Sequence, residues 1–93
     1  MTLLLKNPDA VLDYSIDWGA EYLDGELIAA SAWSVEPAET GGVTIVSADF
    51  SSSATTVKAA GGAVGKLYRL VNQVTTDSGR IDSRSISLRV EKR

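Results

Sequence analysis

The sequence predicts an all-β fold, a small antiparallel β-sandwich of six to seven strands. Large apolar residues alternate with polar ones along several segments, short turn signals separate these segments, and no segment has the apolar spacing of a helix. The clearest case is residues 61–90, where a Gly-rich turn, an alternating run, a tight turn at Asp77-Ser78-Gly79 and a second alternating run follow one another. Two such runs joined by a short turn form an antiparallel hairpin. A chain of 93 residues has room for one domain of this kind.

The first predicted elements are an N-terminal arm over residues 1–8 and a strand over residues 11–18, the sandwich itself covering residues 9–93. The arm contains the apolar run Leu3, Leu4 and Leu5, to which we can assign no partner strand, so we expect it to pack on a neighbouring protein. The following strand alternates, with acids on the outer face, as a half-buried strand does. Its inward side chains are Leu12, Tyr14, Ile16 and Trp18.

The next predicted strands cover residues 26–35, 43–50 and 55–60. The first of these has small, fairly apolar side chains on both faces, so we expect a central strand covered on both sides. The segment 55–60 is polar for a strand, a composition that suits a sheet edge because polar side chains discourage strand addition. Pairing of this edge with another protein is therefore one predicted route of contact.

The last two strands carry features of immunoglobulin-like sandwiches. Tyr68 begins a long strand just after the glycines of residues 61–65, which resembles a tyrosine corner, where the phenol binds the upstream backbone. Trp33 stands on the kind of strand where many such domains keep a core Trp. The final strand, residues 80–90, directs Ile86, Leu88 and Val90 inward and leaves Asp82 and Arg84 near the open end of the sandwich. The predicted aromatic core is Tyr14, Trp18, Trp33 and Tyr68.

Two residue types that often carry chemistry, cysteine and histidine, are missing from the chain. The chain has no cysteine, which excludes disulfides, thiolate zinc sites and a cysteine nucleophile, and no histidine, the commonest general base and transition-metal ligand. Asp13 and Asp17 would lie about 13 Å apart on a strand, too far for a shared acid–base pair. We therefore expect no enzymatic activity and no cofactor. A weak calcium site at Asp24 and Glu26, beside a turn, stays open as an alternative.

Charge is distributed unevenly along the chain. Residues 1–60 carry a net charge of −7 and residues 61–93 a net charge of +4. Such halves suit head-to-tail contact between copies, but we favour the interpretation that opposite charges meet across strands within one fold. The acidic balance argues against a role in nucleic-acid binding. No segment approaches the roughly 20 apolar residues of a membrane span, and the leucine run is too short for a signal peptide, so we expect no membrane partner.

Several motifs together resemble those of a known group of proteins. They are Lys6-x-Pro8-Asp9, Leu12-Asp13-Tyr14-Ser15-Ile16-Asp17-Trp18, Gly61-Gly62-x-x-Gly65-x-x-Tyr68, Asn72-x-Val74-Thr75-Thr76 and Gly79-Arg80-x-Asp82-x-Arg84. This set resembles small proteins of tailed bacteriophages and prophages, described as fiber-tail adaptor or virion structural proteins. The resemblance spans nearly the whole chain and rests mostly on framework residues.

The resemblance implies a non-enzymatic virion structural protein, an adaptor or connector in the tail or head–tail region. Such a protein would be made in the host cytoplasm, dock on portal, tail or fibre proteins, and form a homo-oligomeric ring. We expect partner contacts at Leu3, Leu4 and Leu5 and, through arginine–carboxylate pairing, at Arg80, Asp82 and Arg84. Two alternatives stay open, a capsid decoration protein and a carbohydrate-binding attachment module. The latter needs an exposed aromatic residue, for which Tyr22 is the main candidate.

Overall fold

The alternating segments of the sequence form seven strands in two packed sheets. The computed structural model describes residues 3–19, 23 and 25–92. The strands are β1 (Leu3–Lys6), β2 (Val11–Asp17), β3 (Ile28–Glu36), β4 (Val43–Phe50), β5 (Ala54–Gly61), β6 (Leu67–Thr76) and β7 (Ile81–Val90). One sheet has the order β1-β7-β6-β3 and the other the order β2-β5-β4. The prediction of an all-β sandwich is confirmed. The described residues contain no helix that could span a membrane.

The hairpin of β6 and β7 is the longest paired unit. It runs in unbroken register from Leu67 opposite Arg89 to Thr75 opposite Ile81. The turn between the strands needs a left-handed residue, which Gly79 supplies with φ of +90°. Alternate residues of β6 are buried, and the residues between them are exposed or half-buried, so the period-two pattern in the sequence corresponds to the two faces of the sheet.

The core between the sheets has two apolar clusters. Trp18, Ile28 and Val74 lie in one, and a larger one forms around Tyr68 and Leu70. Trp18 and Tyr68 are buried, as predicted, whereas Tyr14 and Trp33 are half-buried and pack against the clusters. Leu70 on β6 and Leu88 on β7 are fully buried.

A buried amide joins the two sheets through the core. Asn72 Oδ1, on β6, accepts hydrogen bonds from Trp18 Nε1 (2.9 Å) and from Thr55 Oγ1 (2.7 Å) on β5 of the other sheet. Its Nδ2 donates to Ser31 Oγ (2.9 Å) and to the Ala32 carbonyl (3.1 Å) on β3. All of the hydrogen-bonding groups of this buried side chain therefore have partners, as a polar group in a core requires.

The sequence predicted an arm over residues 1–8, but the described residues of that segment include a strand of the sandwich. Leu3–Lys6 forms β1 and pairs in parallel with residues 87–90 of β7. The Lys6 side chain is buried, and its ammonium donates to the carbonyls of Gly61 (2.7 Å) and Asn7 (3.0 Å), which anchors the end of the strand. A four-residue strand is too short to show a clear alternation of apolar and polar residues, and its partner strand lies more than 80 residues away in the chain. The local pattern therefore did not indicate this strand.

The expected positions of β3 and β5 are exchanged. β3, expected at the centre of a sheet, is an edge strand, and β5, expected at an edge, lies between β2 and β4. Small side chains such as Ala30 and Ala32 are apolar enough to suggest burial, yet they lie exposed on β3. The polar side chains of β5 find partners on neighbouring elements, Thr55 with Asn72 and Thr56 with Ser15 (3.0 Å). Because both sides of β5 are paired, the predicted strand addition at residues 55–60 is wrong.

Candidate partner-docking surfaces

The side of the four-stranded sheet that faces away from the core is here called the outer face. The strand register arranges its side chains in rows across the sheet. One row contains Leu5, Arg89 and Leu67, the next contains Leu3, Ser87, Arg69 and Glu36, and the rows beyond contain Val71, Ser85 and Ser34, then Gln73, Ser83 and Ala32. The leucines are therefore concentrated at one end of the outer face, and small uncharged side chains cover most of the remainder.

An open groove lies at the leucine end of the outer face. Its volume is about 520 Å³, and it is lined by Leu3, Glu36, Pro37, Leu67, Tyr68, Arg69 and Ser87. We call it the leucine groove. Leu3 is 53% exposed and Leu67 is 59% exposed, and Leu5 lies beside them at 46%. Leu4, the remaining member of the predicted contact set, packs against the core instead. The groove thus presents large aliphatic surfaces that solvent does not favour.

The charges around the leucine groove are paired within the molecule. Arg69 forms an ion pair with Glu36, Arg89 with Glu91, and Lys66 with Glu39 at 3.2 Å. Exposed pairs of this kind contribute little to stability. They do leave the groove with no strong net charge, so a partner that covers it would bury mainly apolar surface.

Tyr68 fixes the two loops that border this end of the sheet. Its hydroxyl accepts a hydrogen bond from the Ala63 amide (3.0 Å) and donates one to Glu39 Oε1 (3.0 Å). The predicted bond from the phenol to the upstream backbone is therefore present. Hydrogen bonds from Lys66 and then Tyr68 lower the pKa of Glu39 below its usual value. The Tyr68 hydroxyl therefore holds the loop that contains Ala63 and the loop that contains Glu39 in place beside the leucine groove.

The second predicted contact set lies at the other end of β7. Arg84 lies over the Trp18 ring, 4.8 Å from its centroid, and Asp82 is exposed. Asp82 and Arg89 are seven residues apart on one strand, which corresponds to about 23 Å. The molecule is 42 Å long. The structure therefore separates the leucine groove from the set Arg80, Asp82 and Arg84, which we call the arginine end.

Glu26 organises the arginine end. It accepts hydrogen bonds from Ser78 and from Thr76 (2.7 Å) and forms an ion pair with Arg80. The hydrogen bonds from Ser78, Thr76 and Arg80 lower the pKa of Glu26 from 4.5 to about 2. This carboxylate therefore ties the loop before β3 to the β6–β7 turn.

The described residues give limited support to the alternative sites. No group of three or more acidic, cysteine or histidine side chains among them could hold a metal ion. Asp24, part of the suggested calcium site, and Tyr22, the suggested sugar-stacking residue, lie outside the described residues. Trp18 and Tyr68 are buried and so present no face for stacking on a sugar.

The ion pairs also bear on the uneven charge of the chain. Lys66 with Glu39, Arg69 with Glu36 and Arg80 with Glu26 each join the basic C-terminal part to the acidic N-terminal part. The opposite charges thus meet within one molecule, as we favoured from the sequence.

Leu67 and Pro37 were missed as candidate surface residues. The available signal was a large apolar side chain, Leu67, on the solvent side of an alternating strand.

Comparisons with known proteins found one matching family model and one similar solved structure described below. A family model described as Gp77, Podophage GP4 fiber-tail adaptor protein gp77, matches residues 6–89. The solution structure of the PKD domain from KIAA 1837 protein is similar, with a TM-score of 0.55 and 19% sequence identity. That alignment covers 97% of this chain and 78% of the PKD chain, and it shows the immunoglobulin-like fold alone. No curated protein sequence matches the chain.

Proposed function

The chain belongs to the podophage GP4 fiber-tail adaptor family, and on that basis we propose that it links two other virion proteins, one docked at each end of its sandwich. The family's role is that of a structural component of the phage tail. An adaptor has to hold two partners at once, which requires two surfaces that do not overlap. The leucine groove and the arginine end meet this requirement because they lie at opposite ends of β7.

The observation that carries the proposal is the exposure of Leu3, Leu5 and Leu67 around one groove. Complete burial of a leucine side chain is favourable by about 1.5–3 kcal/mol. Covering the exposed half of three leucines therefore supplies about 2–4 kcal/mol before the costs of association. A cluster of this size acts as the apolar centre of an interface, and the ion pairs around it form a polar rim. We propose that the groove receives aliphatic or aromatic side chains of one partner.

The arginine end suits a different kind of contact. Asp82 is exposed, and the Arg80 side chain keeps 47% of its surface accessible while it pairs with Glu26. Charged side chains at the rim of an interface orient a partner and speed its association more than they add affinity. We propose that this end sets the orientation of the second partner through charged and hydrogen-bonding groups.

The family description concerns the fibre and the tail, so it supports an adaptor over a capsid decoration protein. It also supports a structural role over an enzymatic one. We propose, on the same ground, that the protein is a component of the assembled virion. The homo-oligomeric ring stays a prediction.

Co-sedimentation of the purified protein with tail particles that lack it tests the proposal. The variant L3S/L67S removes two aliphatic side chains from the groove, and we expect its affinity for the tail to fall at least tenfold, about 1.4 kcal/mol. I81S is the matched control, since Ile81 is 64% exposed on the same sheet but lies at the other end of β7.

A second series uses D82K at the arginine end, with binding of purified fibre protein as the readout. We expect each variant to lose one partner and to keep the other. If L3S/L67S binds both partners with the affinity of the wild type, the groove is not a docking surface. If either variant loses both partners together, the two-ended arrangement is wrong.

A further inference from the structure

The short N-terminal strand β1 has one free side. In a strand the N–H and C=O groups of one residue point to the same side, and successive residues alternate between the two sides. The Lys6 carbonyl accepts a hydrogen bond from the Glu91 amide (2.9 Å), so Lys6 and Leu4 direct their backbone groups toward β7. Leu3 and Leu5 therefore direct theirs away from the sheet. Within the part of the chain that the structure describes, β7 is the only strand that pairs with β1.

The side chains at this free side are apolar. Proteins often blunt an edge strand with an outward lysine. The only charged residue of β1 is Lys6, but its ammonium is turned inward and donates to the carbonyls of Gly61 and Asn7. Leu3 and Leu5 lie on the outer face with about half of their surface exposed. A strand added here would therefore meet free backbone groups and large aliphatic side chains together.

The other three edge strands offer less to an added strand. β2 bears the exposed carboxylate of Asp13. β4 has a register shift, and its Asp49 carboxylate already accepts a hydrogen bond from the Phe50 amide (2.8 Å). The exposed side chains of β3 are alanines and a serine, followed by Glu36, so a strand added there would bury little apolar surface. β1 is thus the edge at which backbone pairing and apolar burial coincide.

We propose that the tail partner adds an extended strand to the free side of β1, with aliphatic or aromatic side chains at the positions beside Leu3 and Leu5. This inference rests on the proposed function and adds the way in which the partner of the leucine groove binds. In strand addition the main-chain hydrogen bonds supply affinity, and alternate side chains supply specificity. The groove begins at Leu3, so a strand beside β1 continues its apolar surface. A helix seated in the groove would instead leave the backbone groups of Leu3 and Leu5 to solvent.

A proline at position 5 tests the backbone contact. The Leu5 amide points away from β7, so the missing N–H of L5P costs the fold no hydrogen bond, as at other solvent-facing edge positions. L5A is the matched control, because it shortens the same side chain and keeps the amide. In co-sedimentation with tail particles that lack the protein, we expect L5P to bind about fivefold more weakly than L5A, or weaker still. The reason is that the partner's facing carbonyl loses its donor. Equal urea midpoints of L5P and L5A would show that β1 stays in place.

Amide hydrogen exchange of the wild-type protein gives an independent test should L5P not fold. We expect the amides of Leu3 and Leu5 to exchange more slowly on tail particles than in the free protein, because the added strand accepts hydrogen bonds from them. Equal binding of L5P and L5A, or unchanged exchange of these amides in the bound protein, would overturn the strand addition. Either result leaves the groove itself standing, since L3S/L67S tests the groove through side chains alone. A wild-type protein that self-associates in light scattering, and that L5P reduces to a single chain, would assign the free side of β1 to a second copy and also overturn the proposal.

Discussion

Replacing Asn72 by leucine removes the amide that joins the two sheets while keeping the same number and branching of side-chain heavy atoms. Asn72 is fully buried, so water cannot take the place of the lost partner at this point. Two donors that face it are also buried, Trp18 Nε1 and Thr55 Oγ1. The acceptors Ser31 Oγ and the Ala32 carbonyl belong to residues that are partly or fully exposed, so water reaches them more easily than it reaches the two buried donors.

The size of the effect follows from those two donors. A buried donor without a partner costs about 1–3 kcal/mol, so N72L should lower the free energy of unfolding by about 2–6 kcal/mol. A domain of 93 residues has a total stability of about 5–14 kcal/mol. The substitution is therefore expected to remove roughly half of it.

Urea unfolding followed by tryptophan fluorescence measures the loss. With a slope of about 1.5 kcal/mol per molar urea, a loss of about 4 kcal/mol lowers the midpoint by about 2.7 M. Q73L, at the exposed neighbouring position of β6, should change the free energy of unfolding by less than about 0.5 kcal/mol. Adding T55V to N72L removes one unpaired donor, so we expect it to restore about 1 kcal/mol. If N72L unfolds with the midpoint of Q73L, the buried donors are not the tie between the sheets.

Two further substitutions test the ends of the sandwich. Y68F removes the hydroxyl that holds Ala63 and Glu39, and we expect a loss of about 1–3 kcal/mol in the same urea assay; unchanged stability would mean that the corner is held by packing alone. For Glu26, the folded-state pKa of about 2 lies below its ordinary 4.5, so its stabilising contribution is present above pH 4.5 and is lost as pH falls toward 2. The melting temperature of E26Q should therefore fall less steeply with acid than that of the wild type, and parallel curves would refute the assignment.

The sequence was most informative where large side chains alternate over many residues. β2, β6 and β7 were located within a residue or two because leaving a tryptophan, tyrosine or leucine in water costs far more than leaving an alanine there. The fold class followed from the same residues. In β3 the alanines and serines lose little by exposure, so their pattern does not tell an edge from a centre.

The rest depended on contacts between residues that are distant in the chain. The pairing of Leu3–Lys6 with β7 and the position of β5 between two strands are long-range facts that no local pattern encodes. The same holds for the leucine groove, which takes its lining from four strands and one loop. Leu3 was predicted as a contact residue, but Leu67 and Pro37 join it only through the sheet register. The members of the arginine end are close in sequence, Arg80 in the turn and Asp82 and Arg84 at the start of β7, so their proximity follows from the local pattern.

The parallel alignment of β1 with β7 gives the domain a direction of mechanical strength. A pull applied in opposite senses at residue 3 and residue 90 acts along both strands, so the backbone hydrogen bonds between Leu3–Lys6 and residues 87–90 are loaded together in shear. The antiparallel hairpin of β6 and β7, pulled at its two open ends, would instead release its bonds one at a time. Tension along that line therefore has to break a whole patch at once before the sandwich begins to unravel.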